Sequence, residues 1–245
     1  LFNEGFDDQL LRRQTLLFLS KQSKPTIMSN ITEKFEQLTE IEQNQNIQRY
    51  YRLQSKIYDA TRWSFLFGRK QIIREIPLPD DGAWQILEIG FGTGYNIGRL
   101  VKRFRKAQFF GLDVSEDMQR LATKNLAAYQ DRVHLEARPY LFGATEWHGK
   151  FDAILFSYSL TMINPQWKEL LQQAKEDLKP GGFIAVTDFH NSRNLWFKKH
   201  MALNHVRMDS HLVPVLKELF QTVIEEVKTA YSGVWEYLVF MGRKN

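Results

Sequence analysis

The most constraining stretch of the chain is Ile86-Leu87-Glu88-Ile89-Gly90-Phe91-Gly92-Thr93-Gly94-Tyr95. A short apolar run enters a turn with glycine at every second position, and a helical pattern opens on its far side. Glycines at 90, 92 and 94 permit positive φ and let a ligand approach the backbone closely. The helix N-terminus that follows offers unpaired N–H groups to a carboxylate. A strand-to-helix turn without a ligand needs glycines too, so the run alone leaves both readings open. Two features sharpen it. The spacing Glu-x-Gly-x-Gly-x-Gly is not the dinucleotide pattern, because the position that would need the third glycine holds Tyr95 counted from Gly90 and Ile97 counted from Gly92. Asp113 ends the next apolar run, Phe109-Phe110-Gly111-Leu112-Asp113, about 20 residues beyond the glycines, where an acid is placed to accept ribose hydroxyls. Ser115 and Glu116 follow it, so Asp113 also reads as a helix N-cap.

Past this turn, short apolar runs alternate with helical stretches. Runs at 85–89, 108–112, 133–135, 153–156 and 183–187 predict strands, and 95–104, 116–129 and 166–178 predict helices. The alternation predicts an α/β fold, a mostly parallel sheet with helices on both faces. Lys179-Pro180-Gly181-Gly182 punctuates the last helix and turns into the fifth strand. After Asp188 the alternation breaks. Helices are expected around 192–204 and 211–219, then extended runs at 222–228 and 234–241 joined by Tyr231-Ser232-Gly233. That pair reads as an antiparallel hairpin closing the sheet edge.

Upstream of the glycine turn the pattern is helical, with Ile31, Phe35 and Leu38, then Tyr50, Tyr51, Ile57 and Tyr58, until Pro77, Pro79 and Asp80-Asp81-Gly82 stop it. The expected organisation is an extension at 1–28, a helical cap at 29–79 and the α/β domain at 80–245. Leu16-Leu17-Phe18-Leu19 is too short for a signal core and follows Asp7 and Asp8. Met28 reads as a natural start after a poorly ordered extension; the alternative is a short docking helix with Leu10, Leu11, Phe18 and Leu19 on one face. With 245 residues, 43% apolar, the chain suits one domain and an appendage. The absence of cysteine excludes disulfides, thiolate metal sites and cysteine nucleophiles, and is compatible with an intracellular location. No apolar run approaches the roughly 18 residues needed to span a bilayer. No His/Asp/Glu cluster has ligand spacing, so no metal is expected. Lys plus Arg number 33 against 28 Asp plus Glu, a net charge of +5. That balance favours an anionic partner such as a membrane surface or nucleic acid; a basic soluble protein without one fits equally well.

From Ile86 to Met241, including Leu178-Lys179-Pro180-Gly181-Gly182, the chain resembles the class I S-adenosylmethionine-dependent methyltransferases. The resemblance implies a Rossmann-like, seven-stranded, mostly parallel sheet with a C-terminal antiparallel hairpin, helices on both faces and an N-terminal helical cap. It implies that Gly90, Phe91, Gly92, Thr93 and Gly94 pass under the methionine moiety of S-adenosylmethionine, that Glu88 orients its amino group and that Asp113 holds the ribose. Val114 and Met118 would flank the adenine. The family often has Gly-Asp-Ala after the third strand; here Leu135-Glu136-Ala137-Arg138 stands there, which assigns Glu136 and Ala137 to the adenine with the acid displaced by one. Tyr50-Tyr51 and the string from Tyr58 to Arg69 look like the N-terminal signature of betaine-lipid N-methyltransferases, which trimethylate the amine of diacylglyceryl-homoserine. Phe156-Ser157-Tyr158-Ser159-Leu160-Thr161-Met162-Ile163 and Asp188-Phe189-His190 are similar to that subfamily as well. On this likeness Tyr51, Tyr58, Arg62 and Trp63 line the cofactor or substrate mouth, with Ser157 and Tyr158 beside the cofactor. An ordinary aromatic core is the competing reading of the string.

Methyl transfer to a neutral amine requires alignment and exclusion of water, and a general base is optional. Asp188 and His190 are the candidate bases, near the strand ends, with Tyr58 grouped with them as catalytic. The fixed cation produced by successive methylation is stabilised by aromatic faces, about 0.5–2 kcal/mol each. Tyr58, Trp63, Tyr158 and Trp196 are the candidate cage, with Trp63 and Trp196 assigned to substrate. Arg193-Asn194-Leu195-Trp196-Phe197-Lys198-Lys199-His200 mixes aromatic and basic residues, which suits peripheral contact with the inner membrane surface from the cytoplasm or, equally, a solvated helix. The expected partners are therefore a lipid or small-molecule amine and a membrane surface, without nucleic acid. Other acceptors in view are phosphatidylethanolamine, a quinone precursor or a soluble amine. A nicotinamide oxidoreductase is disfavoured by the glycine spacing, and a nucleic-acid amino-methyltransferase by Ser157-Tyr158-Ser159-Leu160 in place of an acid or Asn followed by Pro-Pro and an aromatic. A non-catalytic cofactor-binding module is the remaining alternative.

Overall fold

The computed structural model describes residues 66–203 and 205–245, all within the compact unit Ser55–Asn245. Its elements run in order α1 (Arg69–Glu75), β1 (Gln85–Ile89), α2 (Tyr95–Arg103), β2 (Gln108–Asp113), α3 (Glu116–Asn125), β3 (Val133–Ala137) and β4 (Phe151–Ser157). After these come α4 (Trp167–Asp177), β5 (Leu178–Asn191), α5 (Leu195–Leu203), α6 (Leu212–Leu219), β6 (Gln221–Ala230) and β7 (Trp235–Arg243). The strands form one seven-stranded sheet in the order β3-β2-β1-β4-β5-β7-β6. β1 to β5 are parallel, with Ile86 paired to both Phe109 and Ala153. β7 is antiparallel to β5 and β6. This is the Rossmann-like arrangement with a C-terminal hairpin. Strand order reverses at β1/β4, which leaves a crevice outside the carboxyl ends of those strands, where ligands of such sheets bind.

Strand periodicity divides the core. Ile86, Phe109, Ala153, Leu155, Ala185 and Val239 face one layer, which also takes Ile72, Leu100 and Ala122 from α1, α2 and α3 and Ile76 from just beyond α1. Leu87, Ile154, Phe156, Ile184, Val186 and Phe240 face the other, under Leu170, Leu171 and Ala174 of α4 and Leu212 and Leu216 of α6. At the amino ends of the strands, Asp152 accepts from Gln85 N (2.8 Å) and pairs with Lys179 Nζ (2.8 Å), tying β1, β4 and β5 together.

Three of the departures from the expected boundaries have a local reason. α1, which the helical pattern had placed in the cap, packs Ile72 and Ile73 into the sheet's core. Its last carbonyls are capped by the Arg103 guanidinium, which donates to Ile73 O at 2.5 Å and Ile76 O at 3.0 Å. Lys179–Gly182 lies inside β5 as an irregularity. The register shifts there between Phe151 and Ala153, with Gly181 at φ 75°. α5 starts late because the Asn194 side chain accepts from Phe197 N (3.0 Å) and makes Asn194 the cap.

Gly68, the residue before α1, lies close against the sheet. Its φ is 79°, and a Cβ there would lie 2.6 Å from Thr187 Oγ1 and 3.1 Å from Val239 Cγ2. Gly149, at φ 64°, has nothing within 4 Å. Gly68→Ala is expected to cost about 2–4 kcal/mol from strain and overpacking together, and Gly149→Ala about 1 kcal/mol from backbone conformation alone. Urea denaturation of both variants measures the difference, and equal losses would show that the packing at Gly68 contributes nothing.

Candidate functional site

The glycine turn sits at the carboxyl end of β1, with Gly90, Gly92 and Gly94 at φ 76°, 53° and 77°. Part of their use is internal packing. A Cβ on Gly90 would reach Ser159 Cβ at 2.8 Å, and one on Gly94 would reach Leu126 Cδ1 at 2.8 Å. The loop after β4 is thus pressed against the turn, and Ser159 Oγ donates to Ile89 O (3.0 Å). On the other side Gly90 N donates to Leu112 O (2.7 Å), and Gly92 N donates to Asp113 Oδ2 (2.9 Å). Asp113 Oδ1 accepts from Ser115 N (3.0 Å). The carboxylate is held between two backbone N–H groups at the mouth of the crevice. Asp113 is not the helix cap that the sequence left open, because Ser115 is. Ser115 Oγ accepts from Met118 N at 3.3 Å.

Glu88 is buried, and its Oε1 accepts from Asn96 Nδ2 at 2.6 Å. Asn96, in the first turn of α2, was missed in the sequence; its signal is a polar residue on a buried helical face eight positions beyond Glu88. Thr93 O accepts from Asn125 Nδ2 (3.0 Å). Phe91 offers the site only its backbone. Its ring is buried in the core, where a Cβ on Gly111 would meet it at 2.8 Å. Val114 is exposed and Met118 nearly buried beside Asp113. Glu136 and Ala137, at the end of β3, line an open cleft of about 440 Å³ with Glu116, Gln119, Arg120 and Arg138. The Glu136 carboxylate is paired with Arg138 Nε at 2.6 Å, so the displaced acid comes with its own counter-ion.

At the end of β4, the Ser157 hydroxyl is buried and has no hydrogen-bond partner among the described residues. Tyr158 takes a left-handed conformation, φ 55°, and is also buried. Its hydroxyl donates to Phe67 O (2.9 Å) and its ring meets Phe189 edge-on at 4.8 Å. Burial, with the Asp188 charge adding to it, pushes the Tyr158 phenol well above its ordinary value, so it is a donor and not a base. Of the candidate cage Tyr58, Trp63, Tyr158 and Trp196, only the last two are among the described residues, and they differ in setting: Tyr158 is buried, whereas Trp196 is 75% exposed on α5 and stacks on His200 at 5.7 Å. Tyr51, Tyr58, Arg62 and Trp63 lie outside the described residues.

The candidate bases also take other roles. Asp188 is fully buried. Its Oδ1 accepts from Thr161 Oγ1 (2.5 Å) and Phe189 N (2.8 Å), and its Oδ2 from Thr161 N (3.3 Å). It clasps the loop after β4 to β5 and presents no exposed oxygen to an acceptor. His190, half-buried where β5 shifts register against β7, has the Glu236 and Glu225 charges beside it; burial lowers its pKa against their pull. Among the described residues no group of His, Cys, Asp and Glu is arranged to hold a metal.

A profile described as a methyltransferase domain matches residues 86–182, the segment from β1 to the start of β5. This segment is similar to methyltransferase domains. The uncharacterized methyltransferase YdaC of Bacillus subtilis is 33% identical over 107 residues, 42% of this chain and 54% of that protein, so the match spans about half of the relative's length. A tRNA N(3)-methylcytidine methyltransferase of Schizosaccharomyces pombe is 25% identical over 87% of this chain and 73% of its own. The N-methyltransferase NodS from Bradyrhizobium japonicum WM9 shares the fold, with TM-score 0.59 and 18% identity over 72% of this chain and 85% of its own. The [4+2]-cyclase SpnF shares it equally well, with TM-score 0.61 and 17% identity over 72% and 80%. The fold by itself therefore does not decide the reaction.

The domain family implies S-adenosylmethionine, and the residues present fit it. The turn carries no side chain at three positions, a carboxylate stands at the tip of β2, a buried serine hydroxyl ends β4, and a cleft opens beyond β3.

Burial raises Asp188 from 3.8 to about 6. The folded protein holds this proton more tightly than the unfolded chain, so the carboxyl's contribution to stability is greatest at low pH and falls as pH rises through that window. The stability difference between wild type and Asp188→Asn should therefore shift against the wild type between pH 3.8 and about 6, by up to about 3 kcal/mol, and level off above. Denaturation at a series of pH values checks this; a flat difference would contradict the assignment.

Proposed function

We propose that the chain is an S-adenosylmethionine-dependent N-methyltransferase that trimethylates the amine of diacylglyceryl-homoserine, working at the cytoplasmic face of a membrane. The observation that carries the methyltransferase reading is the junction of β1 and β2, where the turn's own Gly92 N–H holds the Asp113 carboxylate at the crevice. When bound, S-adenosylmethionine would supply a methyl group activated by its sulfonium: the amine lone pair would bond to the methyl carbon as the S–CH3 bond breaks and S-adenosylhomocysteine leaves.

In this reading Gly90, Gly92 and Gly94 keep the floor of the crevice free of side chains. Glu88, fixed by Asn96, orients the amino group of the methionine moiety, and Asp113 takes the ribose hydroxyls. Val114, Met118, Glu136 and Ala137 bound the adenine. Ser157 Oγ, buried at the end of β4 without a hydrogen-bond partner among the described residues, is the group assigned to the cofactor there. The Phe67 carbonyl takes both the Tyr158 and the Thr187 hydroxyls; Tyr58, Arg62 and Trp63, earlier in the same aromatic string, are the residues assigned to the mouth and to the acceptor. With Asp188 buried in its clasp, the proton lost after each of the first two transfers leaves to solvent; the third transfer leaves a quaternary nitrogen with no proton to lose. NodS and a Haemonchus contortus N-methyltransferase of the same fold are both N-methyltransferases, which supports an amine acceptor.

A second reading has one observation in its favour: the alignment with the tRNA N(3)-methylcytidine methyltransferase over most of the chain, together with the net charge of +5. There the acceptor is a base nitrogen.

One assay separates them. The purified chain is given labelled S-adenosylmethionine with diacylglyceryl-homoserine, phosphatidylethanolamine, a soluble amine or tRNA in turn. Mass gains in methyl steps on diacylglyceryl-homoserine are expected. Label in tRNA alone would replace the lipid reading, and label in none would end the N-methyltransferase proposal. Asp113→Ala should weaken S-adenosylhomocysteine binding about 10- to 100-fold by calorimetry, the loss of hydrogen bonds to a charged group, with unchanged circular dichroism. Undiminished affinity would remove Asp113 from the site.

A further inference from the structure

α5 leaves the carboxyl end of β5, the same edge of the sheet as the glycine turn. Its inner face is accounted for: Phe197 and Met201 pack against the core. Ser192 Oγ, just before the helix, donates to Val234 O at 2.6 Å and fixes it to the β6–β7 turn. The outer face is apolar where a solvated helix is polar. Leu195, Trp196 and Leu203 are 72%, 75% and 76% exposed. They share that face with Lys199 and His200, which are exposed as well. Tyr231 and Val234 of the adjoining turn add exposed apolar surface.

Charge says what covers this face. The chain has no acidic residue between Asp188 and Asp209. Arg193, Lys198 and Lys199 carry no ion pair among the described residues; Lys198 Nζ reaches only Asn191 Oδ1. An indole and two leucines flanked by unpaired cations match the boundary between lipid headgroups and acyl chains. There the apolar side chains enter the bilayer and the lysines stay with anionic headgroups. An RNA surface would be matched by arginines and stacking rings, and gives two leucines nothing to bury against. We propose that the outer face of α5 seats the protein on an anionic membrane surface. The docking stands on α5 itself, whichever acceptor the site takes.

The test is flotation of the full chain with vesicles of phosphatidylcholine alone and of phosphatidylcholine mixed with phosphatidylglycerol. Binding is expected to the mixed vesicles, weakening as salt is raised. Lys199→Ala should reduce it about fivefold, and Trp196→Ala with Leu203→Ala about tenfold or more. Brominated lipid should quench part of the wild-type tryptophan emission, and Trp196→Phe should abolish that part. These side chains are exposed, so unchanged thermal unfolding is expected of every variant. Absence of binding to anionic vesicles overturns the proposal, as does binding that none of the substitutions alters. Binding to tRNA but not to vesicles, lost in the same variants, overturns it in favour of an RNA surface.

Discussion

The structure turns on how the end of β1 is held. Three strands meet there through the backbone and short side chains. Gly90 N reaches Leu112 O of β2, Gly92 N reaches Asp113, and Ile89 O takes the Ser159 hydroxyl from beyond β4. Buried polar groups must be paired, so these bonds fix the spacing of the strand ends as well as filling it. Glu88 makes the point most sharply. A carboxylate on a buried parallel strand is costly, and Asn96 from the following helix is brought onto it at 2.6 Å. Strand, turn and helix are thereby locked into one rigid cradle, and rigidity is what a transfer reaction needs from its scaffold.

A second lock works one strand further along. Asp188 gathers Thr161 Oγ1, Thr161 N and Phe189 N, and Tyr158 reaches across to Phe67. The loop after β4 is therefore pinned on both sides, to the glycine turn through Ser159 and to β5 through Thr161. Tyr158, in a conformation non-glycine residues seldom adopt, sits between these anchors. Asp188 stands as a residue that sets the shape of the strand-end crevice; its burial takes it out of contact with an acceptor.

Much of this was legible in the chain. Parallel strands covered on both faces are continuous apolar runs, and each predicted run became a strand. The glycine spacing and Asp113 fell together at the β1–β2 junction because sequence-local turns dictate them. What escaped the sequence depends on distant pairing. Thr161 and Asp188 are 27 positions apart and show no shared motif. Asp188 therefore read as an available acid. Ser159 looked like one polar residue among several until the close approach to Gly90 was seen. Trp196 read as a cage wall because periodicity tells which residues share a helical face but not which face meets the core; Phe197 and Met201 took the inner one. Arg69–Glu75 read as part of a cap because nothing in its amphipathic pattern says which apolar surface it will find; it packs on the sheet.

The central claim is that this cradle holds a sulfonium nucleoside or its demethylated form. A crystal structure of the protein with S-adenosylhomocysteine tests it most directly. The account predicts the ribose hydroxyls within hydrogen-bonding distance of Asp113, the adenine beside Val114 in the cleft bounded by Glu136 and Ala137, and the amino acid end over Gly90. A nucleoside bound elsewhere, or a cradle that stays empty at saturating concentration, would contradict it.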